Sequence, residues 1–349
     1  MTTAKLDRYI ALALQIDCDG VHPDSDRATA AARMHASLAR IDLAIGGARR
    51  WIGPELKLVV LPEYILSGPP WGETIPEWAA KGAIAPDGPE YDALAKLAQK
   101  HGVFLAGNGY ETDAHFPGLY FQACWVFDPA GNRVLTYRRI ISIFAPTPHD
   151  VWDKYLDVYG LEAVFPVADT AIGKLAAIAS EEILYPEVAR AHAIRGAEVF
   201  LHSTSEVASP NLTIKQIARR ARALENLAYV VSANNAELRG IDVPIDSSNG
   251  FSDIIDYHGN QLVLAGVGES SVASSFLDLA GLRAYRRRPA MANMLSRQAL
   301  EMFAESFANA DLRRRNGLLQ GGKLIIPDRS YFQQRQADAI ARMTERGII

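Results

Sequence analysis

Apolar residues along the chain fall into short continuous runs, separated by longer segments in which they recur at helical spacing. The runs at 9–16, 57–64, 103–110, 175–179, 199–202, 228–233 and 271–277 read as strands, because continuous apolar runs of this length suit strands buried on both faces. The stretches 24–46, 88–102, 186–196 and 212–226 carry apolar residues at helical spacing. The first follows possible Asp or Ser caps and ends in Gly46-Gly47, and the third has Pro at its start and Gly at its end. Two hairpins are predicted, 119–128 with 133–137 around Pro-Ala-Gly-Asn, and 251–256 with 261–265 around Tyr-His-Gly-Asn. The order is strand, helix, strand, helix, strand, hairpin, followed by the same theme again. That pattern predicts a layered α/β fold with two similar halves.

Composition narrows the picture. The chain has 349 residues, 49% of them hydrophobic and 22% charged, which is globular and long enough for a large core. Lys plus Arg is 36 against 40 for Asp plus Glu, a net charge of −4, so there is no basic footprint for nucleic acid. No run is long enough to predict a membrane span, and no signal-peptide pattern opens the chain. The two cysteines, Cys18 and Cys124, sit in apolar, strand-like runs and read as reduced core thiols. A cytoplasmic protein is expected. From Leu282 onward the sequence becomes Arg-rich and helical, with Met and Phe. The expected division is therefore residues 1–281 as the main domain and 282–349 as a helical extension that joins copies into a homodimer or larger homo-oligomer.

In layered α/β folds, polar residues at the carboxyl ends of apolar strands face the ligand crevice. Three such ends stand out. LVVLPEY places Glu63 after a buried run. TYRRII places Arg138 and Arg139 after the first hairpin. KLAAIASEEILYPE places Ser180, Glu181 and Glu182 between a small-residue strand and a helix that begins with Pro.

With these segments in view, the chain resembles the nitrilase, or carbon–nitrogen hydrolase, superfamily, and looks closest to its aliphatic amidase and nitrilase branches. LVVLPEYILSG resembles the family segment whose Glu is the general base, here Glu63. LTYRRII resembles its Tyr-Arg-Lys-Ile segment, and the Lys position is Arg139. GKLAAIASEEILYPEVARAHAIRGAEVFLHSTSE resembles the nucleophile segment, in which Cys precedes Pro-Glu by six residues; that position is Ser180. RALENLAYVVSANN and NGFSDIIDYHGN resemble further family segments. The resemblance runs from the first strand to about Ala280. It implies a four-layer α-β-β-α sandwich, acyl transfer on a small amide, nitrile or related C–N bond, and a site of Glu63, Arg139 and Ser180. No metal and no cofactor are expected.

The departures from the family shape the chemistry. A serine hydroxyl needs a strong adjacent base where a thiol needs little help. Arg139 stays charged and cannot shuttle a proton, but it can hold an oxyanion or a carboxylate. The three residues can therefore run acyl transfer through Ser180, or form a static salt-bridged pocket in an inactive protein with a binding or scaffold role. The family's second Glu is missing by spacing; Thr147 stands near its place, with His149 and Asp150 beyond. Tyr64, Glu181, Glu182, His149 and Trp152 are the candidates for substrate contact, with Glu182 expected to hold backbone or a neighbour. His149, His192 and His202 match no metal-ligand spacing and read as locally satisfied.

Overall fold

The computed structural model of the protein describes residues 5–207, 209 and 211–349. The first half contains β1 (Arg8–Ala13), α1 (Arg27–Ile52), β2 (Leu56–Val60), α2 (Ile75–Lys81), α3 (Pro89–His101), β3 (Phe104–Thr112), β4 (Tyr120–Phe127) and β5 (Arg133–Arg138). After α4 (Trp152–Tyr159) comes the second half. It contains β6 (Ala168–Thr170), β7 (Gly173–Ala179), α5 (Pro186–Ile194), β8 (Val199–Thr204), α6 (Ile214–Asn226), β9 (Tyr229–Asn234), β10 (Asp253–Ile255), β11 (Gln261–Leu264) and β12 (Ser274–Asp278). The C-terminal segment adds α7 (Leu279–Arg287), α8 (Glu301–Ala308) and α9 (Ser330–Glu345).

Two six-stranded sheets result, in the orders β12-β1-β2-β3-β4-β5 and β11-β10-β9-β8-β7-β6. Each has three parallel strands at its centre, β1-β2-β3 and β7-β8-β9, flanked by antiparallel partners. Strand alternation sorts the apolar side chains into layers. Leu58, Val60, Ala177, Ala179, Val231 and Ala233 meet between the sheets. Val59 and Leu105 face outward onto Met34, Ile41 and Leu94 of α1 and α3. Ile178, Phe200 and Val230 face Val188, Ala189 and Ala223 of α5 and α6. The molecule is thus the α-β-β-α sandwich that the family resemblance implied, built from the two similar halves of the strand pattern, with strands buried on both faces.

Several boundaries moved for identifiable reasons. The expected end of the first helix at Gly46-Gly47 is overridden. Ile45 and Ala48 keep the buried face continuous, and packing outweighs the roughly 1 kcal/mol that a helical glycine costs. The helix ends instead at Gly53, where φ is +97°. The second strand stops at Val60, short of the expected 64, because the chain turns at Pro62 and Tyr64 takes φ +40°. Helices α2 and α4 have too few buried residues to show as periodicity; α2 buries only Ile75 and Trp78. Helix α7 buries Leu279 and Leu282 in the inter-sheet core, so the expected division at 281/282 falls inside it. Among the described residues no helix is long and apolar enough to cross a membrane.

Candidate active site

The carboxyl ends of β2 and β7 and the segment after β5 converge on a cavity of about 370 Å³. Its floor is polar, with Glu63, Gln122, Arg139, Ser180, Glu181 and Lys215, and its walls include Tyr64, Pro70, Trp71, Tyr110, Phe144 and Ile241. A small site of this size with convergent polar groups suits a small organic ligand.

Ser180 follows β7 directly. Its φ of +48° lies in the left-handed region, which a residue with a Cβ adopts only when its surroundings demand it. The restraint is visible. His202 Nε2 bonds the Ser180 carbonyl at 2.9 Å, and His202 Nδ1 meets Ser232 Oγ at 2.8 Å. A carbonyl can only accept, so Nε2 carries the proton and Nδ1 accepts from the serine. Burial, and then Arg219 and Lys215, push the His202 pKa well below its usual value, which keeps the ring neutral. The histidine read as locally satisfied is therefore a clamp on the turn that carries Ser180.

Glu63 and Arg139 belong to one buried network. Gln122 Nε2 donates to Glu63 Oε1 at 2.8 Å and to Asn108 Oδ1 at 3.0 Å. Arg139 Nη1 donates to Gln122 Oε1 and, at 3.4 Å, to Glu63 Oε1. Its Nε donates to the Ile141 carbonyl at 2.6 Å, and its Nη2 pairs with Glu181. Burial works against the Arg139 charge, yet Glu181, Glu63 and Glu182 hold its pKa above the ordinary guanidinium value. The second carboxylate beside Arg139 is thus Glu181, delivered by the turn after Ser180.

Glu182 points away from the cavity. It is fully buried and accepts from Tyr137 Oη at 2.8 Å and from the Ile140, Ile141 and Ala179 amides at 2.8–3.1 Å. It ties the segment bearing Arg139 to the turn bearing Ser180, which is a positioning task. Tyr64 lines the cavity, whereas His149 and Trp152 are not among its lining residues. His149 lines a separate surface groove together with Leu312 and Arg313, and Trp152 packs on the outer core of the first sheet. Asp150, beyond the expected place of a second Glu, is fully buried and binds Arg313, Tyr331 and Arg335 of the C-terminal segment. That segment therefore closes over the flank of the site rather than reaching only outward.

Sequence reasoning missed Lys215. Its Nζ lies 3.0 Å from Ser180 Oγ, 3.1 Å from Thr204 Oγ1 and 3.0 Å from the Ser205 carbonyl. Among the described residues no hydrogen bond joins Ser180 Oγ to Glu63, and no carboxylate lies within ion-pair distance of Lys215. Burial, reinforced by Arg139, lowers the Lys215 pKa against the opposing influence of Glu63, Glu206 and Glu181. The thiols stand apart: Cys18 and Cys124 are buried and free, and Cys124 Sγ accepts from Asn108 Nδ2 at 3.2 Å. Among the described residues no group of three His, Cys, Asp or Glu is arranged to hold a metal ion.

Polar residues from the strand ends of both sheets thus gather in one cavity of an α-β-β-α sandwich, and comparison with known proteins places that fold. The carbon–nitrogen hydrolase family model matches residues 27–287, and the chain belongs to that family. It is 28% identical to a probable nitrilase of Schizosaccharomyces pombe over 234 residues, covering 67% of this chain and 80% of the relative. It is 26% identical to an omega-amidase of Xenopus laevis over 234 residues, covering 66% and 80%. Among solved structures it is similar in fold to Saccharomyces cerevisiae Nit3, a member of branch 10 of the nitrilase superfamily. The TM-score is 0.62 at 21% identity, covering 80% of this chain and 94% of that one.

Proposed function

We propose that the protein hydrolyses a small amide, nitrile or related C–N bond by acyl transfer to Ser180. The observation that carries this reading is the placement of Ser180, held in a left-handed turn on the floor of a small cavity beside Glu63 and Arg139. For an amide, Ser180 Oγ bonds to the carbonyl carbon, the C–N bond breaks, and the amine leaves with a proton. Water then adds to the Ser180 ester and releases the acid. Arg139 supplies a fixed positive charge in the same cavity, and it also holds Glu63 and Glu181. The relatives named above support the class of bond. The choice of a small substrate follows from the cavity.

A binding role without turnover is the second reading. It is favoured by the saturation of Arg139, whose three nitrogens already meet Ile141, Gln122, Glu63 and Glu181. Intact-mass analysis after incubation with a panel of small amides and nitriles separates the two. An acyl adduct that maps to Ser180 and vanishes in Ser180→Ala is expected. A native protein that neither forms the adduct nor turns over any member of the panel favours the binding role. We also propose that residues 282–349 join copies of the chain, because α8 buries no residue and exposes Met302, Phe303 and Phe307. A monomeric mass by light scattering removes that proposal.

A further inference from the structure

We infer that Lys215, not Glu63, is the group that takes the proton from Ser180. The inference rests on the acyl-transfer reading and adds the base that a serine nucleophile requires. Geometry selects Lys215. Its Nζ is 3.0 Å from Ser180 Oγ, whereas Glu63 spends Oε1 on Gln122 and Arg139 and makes no hydrogen bond to Ser180 among the described residues.

The three partners of Nζ suit both protonation states. As an ammonium, Lys215 donates to Ser180 Oγ, Thr204 Oγ1 and the Ser205 carbonyl. As a neutral amine it keeps two donors, for the Ser205 carbonyl and Thr204 Oγ1. Its lone pair then faces the Ser180 hydroxyl, which turns from acceptor to donor. No partner is orphaned by the change. A lysine paired with a carboxylate would be locked as the ammonium. The charged groups around this one are Glu63 after β2, Arg139 after β5, Glu181 after β7 and Glu206 after β8, with neutral His202 below. None of the carboxylates lies within ion-pair distance, and the net result of burial and Arg139 is a lowered pKa.

The proton inventory closes. Neutral Lys215 accepts the Ser180 hydroxyl proton as the Oγ–C bond forms. The resulting ammonium gives that proton to the leaving nitrogen as the C–N bond breaks. In the second half-reaction Lys215 takes a proton from water as it adds to the ester carbon, and returns it to Ser180 Oγ as the ester bond breaks. Arg139 cannot serve here, because a guanidinium keeps its proton at every working pH.

The test uses p-nitrophenyl acetate as an activated acyl donor, reading p-nitrophenolate release and the acetyl mass on Ser180. Lys215→Met is expected to slow acetylation by about a hundred- to ten-thousand-fold, the usual weight of a general base. Lys215→Arg is expected to stay slow at every pH, and added propylamine to restore part of the rate in Lys215→Ala. Native acetylation is expected to rise with pH through a single ionisation below the ordinary lysine value. That profile needs no variant, so misfolding cannot obscure it. Acetylation of Ser180 at the native rate in Lys215→Met or Lys215→Arg overturns the inference and leaves the acyl-transfer reading standing. So does a native profile that climbs only at the ordinary lysine value. A native protein with no acetyl on Ser180 overturns the acyl-transfer reading itself, and Lys215 with it.

Discussion

The two halves of the sandwich share a strand pattern but equip the site in opposite ways. The first half supplies a carboxylate that is already answered: Glu63 is bonded by Gln122 and Arg139, and Gln122 is braced by Asn108. The second half supplies Ser180 and Lys215, a hydroxyl and an amine that answer each other and have no carboxylate between them. The difference separates a half whose buried charges are fixed by their partners from one whose amine has no carboxylate to fix it. A buried ion that is paired resists any change in protonation, because the change leaves its partner uncompensated. An amine bonded only to hydroxyls and a carbonyl can lose a proton without stranding a charge.

The largest effect should come from breaking the first half. Arg139→Met leaves Glu63 and Glu181 without their cation, and breaking a buried pair in this way costs about 3–5 kcal/mol. Urea denaturation should show that loss. A midpoint equal to native would mean that the Glu63 network is not a stability device, and the contrast between the halves would weaken.

A second buried carboxylate sharpens the same point at intermediate size. Burial opposes the charge of Asp150, but Arg313 and Arg335 hold its pKa below the usual 3.8. Its stabilising pairing is therefore present above that ordinary value and is lost as pH falls through the lower folded value. Arg335→Ala should cost about 1–3 kcal/mol and loosen residues 330–345 at acid pH before the sheets open. Hydrogen exchange along α9 checks this. Exchange as slow as native in the variant would refute it.

The second half should behave in the opposite sense. Because the Lys215 pKa is lowered on folding, the unfolded chain binds more protons between the lowered value and 10.5. Native stability should therefore gain from this residue as pH rises across that window. Lys215→Met should flatten that slope while changing stability at neutral pH by no more than about 1 kcal/mol, since the amine is hydrogen-bonded only to Ser180, Thr204 and Ser205 and its removal leaves no ion unpaired. A steep loss of stability in Lys215→Met would show that the amine is held as a structural cation.

The smallest expected effect concerns the helix that carries the amine. Thr213 caps α6 by accepting from the Gln216 amide at 3.1 Å. Thr213→Ala should cost about 1 kcal/mol. It should also lower the rate of Ser180 acetylation more than it lowers the melting point would suggest, because Lys215 sits in the first turn. An acetylation rate unchanged from native would argue that the cap and the amine are independent.

Much of the fold was legible because its determinants are local. Continuous apolar runs between turn residues gave away both sets of parallel strands, and Pro and Gly marked α5 at its two ends. Glu63, Arg139, Ser180 and Glu181 were legible as polar residues at strand ends, and they do meet in one cavity. Lys215 was not legible, for a specific reason. An amphipathic helix is read with its apolar face inward. Helix α6 does the reverse over much of its length, burying Gln216, Arg219, Arg222 and Asn226 while leaving Ile214, Ile217 and Leu224 exposed. The available clue was the run of cations in a segment otherwise rich in Ala and Leu.

The sequence by itself determined the central strands, the main helices and their order, because periodicity and turn chemistry act over a few neighbouring residues; the sandwich itself was legible only through the family resemblance. Tertiary structure alone decided which polar groups became partners. Lys215 and Ser180 are 35 residues apart, and Arg139 and Glu63 are 76 apart. Only the packing of α6 on the second sheet, and of the two sheets on each other, brings such groups within 3–4 Å, where hydrogen bonding and burial set their protonation. The same packing sent Glu182 into a backbone clamp and set His149 and Trp152 outside the cavity lining, choices that no local pattern encodes.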